Sequence, residues 1–268
     1  MLLGLNQNSY ENLSIIEFIK KAKRFQGIEL DFKKLKNELS NNLTFKTLLD
    51  YFEMYNTKLI NIFQLEDFSL CSEKDFKKIK IPILKKILYY SYKLECDLVT
   101  IAPSFESRDI PKWRIIRKTE KRIQEIMRII KETDVKIGFE FINHPDSSIQ
   151  TLSETKELLD LFISNANVGY VIDTYYLGKS KEDFGKIKDI SDAIFLIQLS
   201  DFSQKLEETE AIDGESKRLF PGDGEFDFKE FINTIKSYRY KRFYSIEIDH
   251  SENEYDCYKK FKNMNISN

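Results

Sequence analysis

Three acidic residues stand late in runs that are otherwise apolar. Glu140 lies in Ile137-Gly138-Phe139-Glu140-Phe141-Ile142, Asp173 ends Val168-Gly169-Tyr170-Val171-Ile172-Asp173, and Glu247 lies in Tyr244-Ser245-Ile246-Glu247-Ile248. A carboxylate in such surroundings is costly unless it is paired, hydrogen-bonded or bound to a cation. A single acid of this kind is as well explained by a local ion pair with Arg or Lys as by a site. Three at matching places point to a site. Converging carboxylates repel one another, and a divalent cation would relieve that repulsion. Oxygen-rich ligation suits Mg2+ or Mn2+ better than Zn2+.

These acids need elements that bring them together. Short apolar runs recur at Leu2–Leu5, Ile28–Leu30, Leu59–Phe63, Leu98–Ala102, Ile137–Ile142, Val168–Ile172, Ile194–Leu199 and Phe243–Ile248. Several are continuous, as expected of parallel strands buried on both faces. Helical patterns fall between them. Ser14 with Glu17 reads as a capping box opening a helix to about Phe25, which Gly27 breaks. Lys74–Lys93 has helical spacing. After Pro111, Trp113, Ile116, Ile123, Met127 and Ile130 form an apolar stripe. Thr151 with Glu154 is a second capping box leading into Leu158–Phe162, and 228–235 and 255–261 supply the last two helices.

Eight strands alternating with helices, in a chain of 268 residues, predict an α/β fold: a single (β/α)8 TIM barrel spanning 1–268. A doubly wound open sheet is the alternative. It usually carries a Gly-rich first turn, whereas the first turn here is Asn6-Gln7-Asn8-Ser9. The C-terminal ends of barrel strands converge on one mouth, where the three acids would meet. Forty-two basic and 44 acidic residues leave a net charge of −2, which gives no argument for nucleic acid or an anionic membrane as partner. No apolar run approaches a bilayer span and the N-terminus does not read as a signal peptide. Cys71, Cys96 and Cys257 show neither a disulfide framework nor metal spacing. A cytoplasmic enzyme or binding protein is expected.

Four blocks carry a family likeness: Gly138-Phe139-Glu140-Phe141-Ile142-Asn143-His144-Pro145, then Val168 through Asp173, then Arg218-Leu219-Phe220-Pro221-Gly222-Asp223-Gly224, then Ser245-Ile246-Glu247. Their order and spacing resemble the xylose isomerase-like TIM barrels, nearest to the inosose (2-keto-myo-inositol) isomerase branch. The resemblance implies a metal held by Glu140, Asp173, Glu247 and a fourth residue. That fourth place, a His in the family, falls on Gln198, and a second family His falls on Tyr176. Gln is a neutral, weaker ligand, and Tyr cannot shuttle protons near neutral pH. Mn2+ or Mg2+ is the expected ion, with Zn2+ or Co2+ as alternatives. The resemblance further implies enediolate chemistry with Glu140 and Glu247 as the acid/base pair, a substrate-binding Arg218, and a homodimer paired through outer helices.

Other residues join the candidates. Tyr176, His144 and Asn6 are expected near a polyol substrate, and Gln64 sits at a strand end. Asp201, two residues past the seventh strand, is expected to orient Gln198 or Arg218 from behind. Glu29 is given a structural role, and Gly222 and Gly224 a tight turn. His250 is the second of two histidines. The function expected is a divalent-metal-dependent isomerase or epimerase of a sugar, sugar phosphate or cyclitol. Two alternatives stay open: a lyase or dehydratase on the same site, and a non-catalytic polyol-binding protein that has lost two histidines. A zinc endonuclease is disfavoured, since that branch needs many His ligands.

Overall fold

The computed structural model describes residues 1–162, 165–204, 217–249 and 258–260. The eight apolar runs become eight parallel strands in one closed barrel, hydrogen-bonded in sequence order with the last strand returning to the first. They are β1 (Leu2–Asn6), β2 (Gly27–Asp31), β3 (Lys58–Leu65), β4 (Leu98–Ile101), β5 (Lys136–Glu140), β6 (Val168–Asp173), β7 (Ile194–Leu199) and β8 (Phe243–Ile246). The closed barrel excludes the open-sheet alternative. Because the strands are buried by helices outside and by side chains inside, β4, β6, β7 and β8 are buried along their whole length.

The helices are α1 (Ile15–Lys21), α2 (Phe32–Ser40), α3 (Phe45–Tyr55), α4 (Glu73–Asp75), α5 (Ile81–Lys93), α6 (Lys112–Ile130), α7 (Leu152–Leu159), α8 (Thr174–Ser180) and α9 (Phe228–Ser237). Ser14 caps α1 in a complete capping box with Glu17. Thr151 caps α7, but Glu154 reaches the backbone N–H of Gln150 instead of closing the box. A π-helical turn, Phe76–Lys80, joins α4 to α5. Trp113 departs from the expected stripe of α6: it is 65% exposed, while Ile116, Ile123 and Ile130 face the core. Helices α2 and α3, between the second and third apolar runs, were missed. The helix expected at 255–261 lies outside the described residues except for 258–260, as do Cys257 and His250. Among the described residues no helix is long and apolar enough to cross a membrane.

The barrel interior is built in layers. Toward the N-terminal ends of the strands, Ile60, Leu98, Val171, Phe195, Leu196 and Phe243 form an apolar floor separate from the main core. Glycines make room for it. A Cβ on Gly27 would lie 2.6 Å from Ile60 and 2.8 Å from Phe243, and one on Gly138 would lie 2.5 Å from Val171. Side chains on a strand alternate, so residues two positions on share a face. Gly4, Gly27, Leu98, Gly138, Val171 and Leu196 are therefore followed on the inner face by Asn6, Glu29, Thr100, Glu140, Asp173 and Gln198. The apolar floor and the polar layer above it are two readings of one register.

Gly169 lies two residues before Val171 on the same face of the strand and sets how closely β6 approaches the chain entering β7. A Cβ there would fall 2.1 Å from the backbone oxygen of Ala193 and 2.8 Å from the Phe195 ring. Overpacking of this kind typically costs about 1–3 kcal/mol. Gly169→Ala is expected to lower the unfolding free energy by that amount, read as a lower urea midpoint with an unchanged slope. An unaltered midpoint would show that the strand can shift without cost.

Candidate functional site

The strand register gathers the acids. Asp173 pairs with Gln198 across β6 and β7, Gln198 with Ser245 across β7 and β8, Asn6 with Glu29 across β1 and β2, and Glu29 with Asn61 across β2 and β3. Glu140 ends β5 and Glu247 follows β8 directly, its N–H bonded to the Leu199 carbonyl. Asn6, Glu29, Asn61, Asp173, Gln198, Glu140 and Glu247 are all buried.

Each acid is held differently. Asp173 is the N-cap of α8: its Oδ1 accepts from the Tyr175 N–H at 2.9 Å and from the Ser200 hydroxyl at 3.0 Å. Its Oδ2 accepts from Arg218 Nη1 at 2.5 Å. The same Nη1 also donates to Ser200 Oγ at 2.9 Å. The guanidinium carbon lies 4.8 Å from the Tyr175 ring centre and 4.9 Å from that of Tyr176, a placement favourable to a cation. Glu247 accepts from two side-chain amides, Asn8 Nδ2 at 3.0 Å and Asn6 Nδ2 at 3.3 Å. Glu29, beneath the mouth, accepts at Oε2 from Asn61 Nδ2 at 2.8 Å and Gln198 Nε2 at 3.1 Å, and Asn61 exchanges further bonds with Thr100.

The electrostatics follow from this packing. Burial, with Glu247 and Asp173 nearby, pushes the Glu140 carboxyl well above the ordinary carboxylate range, against a smaller pull from Arg218. Burial also raises Glu247, but Arg218 and the Asn8 hydrogen bond oppose that rise, which Asp173 reinforces. Glu29 is raised to about 7, by burial first and by Glu247 second, against the opposing pull of the neighbouring polar side chains, of which Asn61 donates a hydrogen bond to it. For Arg218 burial works against the charge, yet Asp173 and Glu247 more than reverse it, so the guanidinium is firmly cationic. Burial pushes the Tyr176 phenol pKa up, so the group stays protonated and uncharged, leaving it a packing and hydrogen-bonding group.

Several expectations take a different form. Asp201 does not reach the side chains of Gln198 or Arg218. Its two carboxylate oxygens accept from the backbone N–H groups of Phe202, Phe226, Gly222 and Gly224. It is the organiser of the 221–226 turn, where Gly222 has φ 92° and a Cβ on Gly224 would meet the Phe202 oxygen at 2.2 Å. Asp201 also pairs through its backbone with Leu219, and the Arg218 backbone is held by Asp249. His144 is an exposed turn residue: its Nδ1 accepts from the Asp146 N–H and its ring meets Phe105. It touches none of the three acids. Glu29, expected to serve structure, is the buried floor of the site. Asn8, Asn61, Ser200 and Tyr175 were missed. Asn61 carried the same signal as the acids, a polar residue within the apolar run Leu59–Phe63. Gln64 is half-buried at the end of β3.

A metal was expected at Glu140, Asp173, Gln198 and Glu247. Among the described residues no three His, Cys, Asp or Glu are arranged to hold one. Gln198 turns its NH2 to Glu29 Oε2 at 3.1 Å. Its Oε1, a neutral amide oxygen, is buried without a hydrogen-bond partner. Asp173 is already paired with a guanidinium. As arranged, these residues do not fit a divalent ion.

With this geometry in place, known proteins give the context. A family model described as xylose isomerase-like TIM barrel matches residues 16–260. An inosose isomerase of Halalkalibacterium halodurans is 24% identical over 258 residues, covering 92% of this chain and 88% of the relative. Another, from Bacillus velezensis, is 22% identical over 201 residues, covering 75% and 70%. Among solved structures, an IolI protein with a bound zinc atom matches at a TM-score of 0.86 and 20% identity, covering 99% of this chain and 97% of the other. A probable 3-DHS dehydratase, AsbF, from Bacillus anthracis matches at 0.81 and 18% identity over 100% of both chains. At these identities the structural likeness speaks to the fold.

Glu29 generates a pH prediction. Its folded pKa, about 7, lies above the ordinary 4.5, so between these values the folded chain keeps a proton that the unfolded chain has lost. Stability from this group is therefore intact below about 4.5 and falls as pH rises toward 7, by about 3 kcal/mol in all. Glu29→Gln, which keeps an oxygen for Asn61 and Gln198, is expected to flatten the decline of the urea midpoint between those pH values. Equal declines in both proteins would assign the titration elsewhere.

Proposed function

This chain belongs to the xylose isomerase-like TIM barrel family, and from that premise we propose that it is an isomerase or epimerase of a cyclic polyol ketone of the inosose class. The observation that carries this reading is the unequal support of two buried carboxyl groups in one mouth. Glu247 is held by two amide N–H donors, which favour its ionised form, while Glu140 has burial and two acidic neighbours driving it toward the protonated form. Environments that separate two carboxyl groups in this way suit one as base and the other as acid. The pair titrates jointly, so the roles belong to the pair as well as to its members.

The chemistry needs little else. Glu247 removes the proton from the carbon next to the substrate carbonyl, and the bond electrons move onto the carbonyl oxygen to give an enediolate. Glu140 supplies a proton to that system. When Glu247 returns its proton to the former carbonyl carbon and Glu140 takes back a proton from the other enediol hydroxyl, the product is the isomer; when Glu140 instead delivers its proton to the original carbon from the opposite side and the enediolate oxygen becomes the carbonyl again, the product is the epimer. Asn6 and Asn8 aim the Glu247 carboxylate, and Arg218 supplies N–H groups and positive charge to oxygen. The inosose substrate class is supported by the inosose isomerases this chain resembles along most of its length.

The test is exchange and conversion of 2-keto-myo-inositol in D2O, followed by proton NMR and mass spectrometry. The protein is expected to exchange the proton next to the carbonyl and to form a product of unchanged composition. Glu247→Gln is expected to lose about 10²–10⁴ in rate, the usual contribution of a positioned base, while still binding the ketone. Loss of one water from the product would favour dehydration instead. Binding without exchange would favour a non-catalytic polyol-binding protein and overturn the proposal.

A further inference from the structure

The cation position of this mouth is filled by a side chain. We propose that the Arg218 guanidinium replaces a divalent ion here, so that the site binds its substrate oxygen and works without metal. For the substrate oxygen this rests on the isomerase reading above; for the cation it rests on geometry alone.

Four observations converge. Arg218 Nη1 lies 2.5 Å from Asp173 Oδ2, the carboxylate whose β7 register partner is Gln198. An ion binding Asp173 would meet a positive charge at hydrogen-bond distance. The guanidinium is locked there: Ser200 Oγ accepts from Nη1 while donating to Asp173, the Tyr175 and Tyr176 rings flank it, and Asp249 anchors the Arg218 backbone. Tyr176 itself stands where the family pattern has a His, so the same substitution that removes an imidazole supplies one face of the guanidinium's cradle. Gln198, at the other departure, spends its NH2 on Glu29. Both departures thus serve an arrangement with an organic cation.

The chemistry can be supplied by such a cation. A guanidinium has five N–H donors. Asp173 and Ser200 take two through Nη1, and among the described residues no acceptor takes those on Nε or Nη2. They can hold a carbonyl oxygen in the ground state and the enediolate oxygen after proton transfer, where the interaction strengthens as charge develops. Arg stays charged at every working pH.

Protein purified without chelator should contain no stoichiometric Mn2+, Zn2+, Mg2+ or Co2+ by plasma mass spectrometry. Its melting temperature should be unchanged by EDTA or by added Mn2+ or Zn2+, since only an ion that binds the folded form raises it. Gln198→His alone should not gain a metal response, because Arg218 remains. Arg218→Met combined with Gln198→His should gain one, seen as a rise in melting temperature with Zn2+ that EDTA reverses. One divalent ion per wild-type chain, or a metal-dependent rise in its melting temperature, would overturn the proposal, whether or not the ketone is turned over. Metal-free protein that leaves 2-keto-myo-inositol unexchanged would sink the isomerase reading and leave the cation assignment standing.

Discussion

Burying a carboxylate as deeply as Asp173 is costly unless something supplies positive charge and hydrogen bonds in place of water. In this barrel that partner is Arg218, and much of the C-terminal mouth is arranged around the pair. Ser200 bridges both members, α8 begins on the same carboxylate, and the two tyrosines that follow it flank the guanidinium. Removing one member of such a buried pair typically costs about 3–5 kcal/mol. The turn at 221–226 belongs to the same system, because Asp201 fastens it and pairs with Leu219 beside Arg218.

The barrel makes this concentration of polar groups tolerable by confining it to one layer. Below lies a dry floor of apolar side chains, closed by glycines that leave no side chain of their own. Above, nearly every inward residue is polar, and many are partnered within the layer: Asn61 with Thr100 and Glu29, Glu29 with Gln198, Glu247 with Asn6 and Asn8. The few unpartnered buried atoms include Glu29 Oε1 and Gln198 Oε1. They sit together at the floor of the mouth, which is where a polar barrel interior departs most from simple packing.

The difference between Glu140 and Glu247 arises from their neighbours, not from depth, since both are buried. Amide donors reach Glu247 from the end of β1 and the turn after it, beside β8, whereas among the described residues no hydrogen-bond donor reaches the Glu140 carboxyl.

The fold and the location of the mouth were legible in the chain itself. Eight apolar runs at a steady interval can be buried on both faces only in a parallel sheet with helices around it, and an acid late in three of those runs marks one end of it. The family blocks also located Arg218, and Asn6 was located by its place at a strand end. Helix α2 was hidden because its apolar residues are few and mixed with Lys, Asn and Glu, whereas α3 carries Phe45, Leu48, Leu49 and Phe52 at helical spacing. Tertiary structure decided what local pattern cannot carry. It placed Asp201 on backbone N–H groups of a distant turn, set His144 outside the mouth, and made Glu29 part of its floor. Above all it set Arg218 against Asp173, 45 residues away in sequence. An acid's cost of burial is visible from its neighbours in the chain, but the charge that offsets it comes from wherever the barrel closes, and only closure says which residue that is.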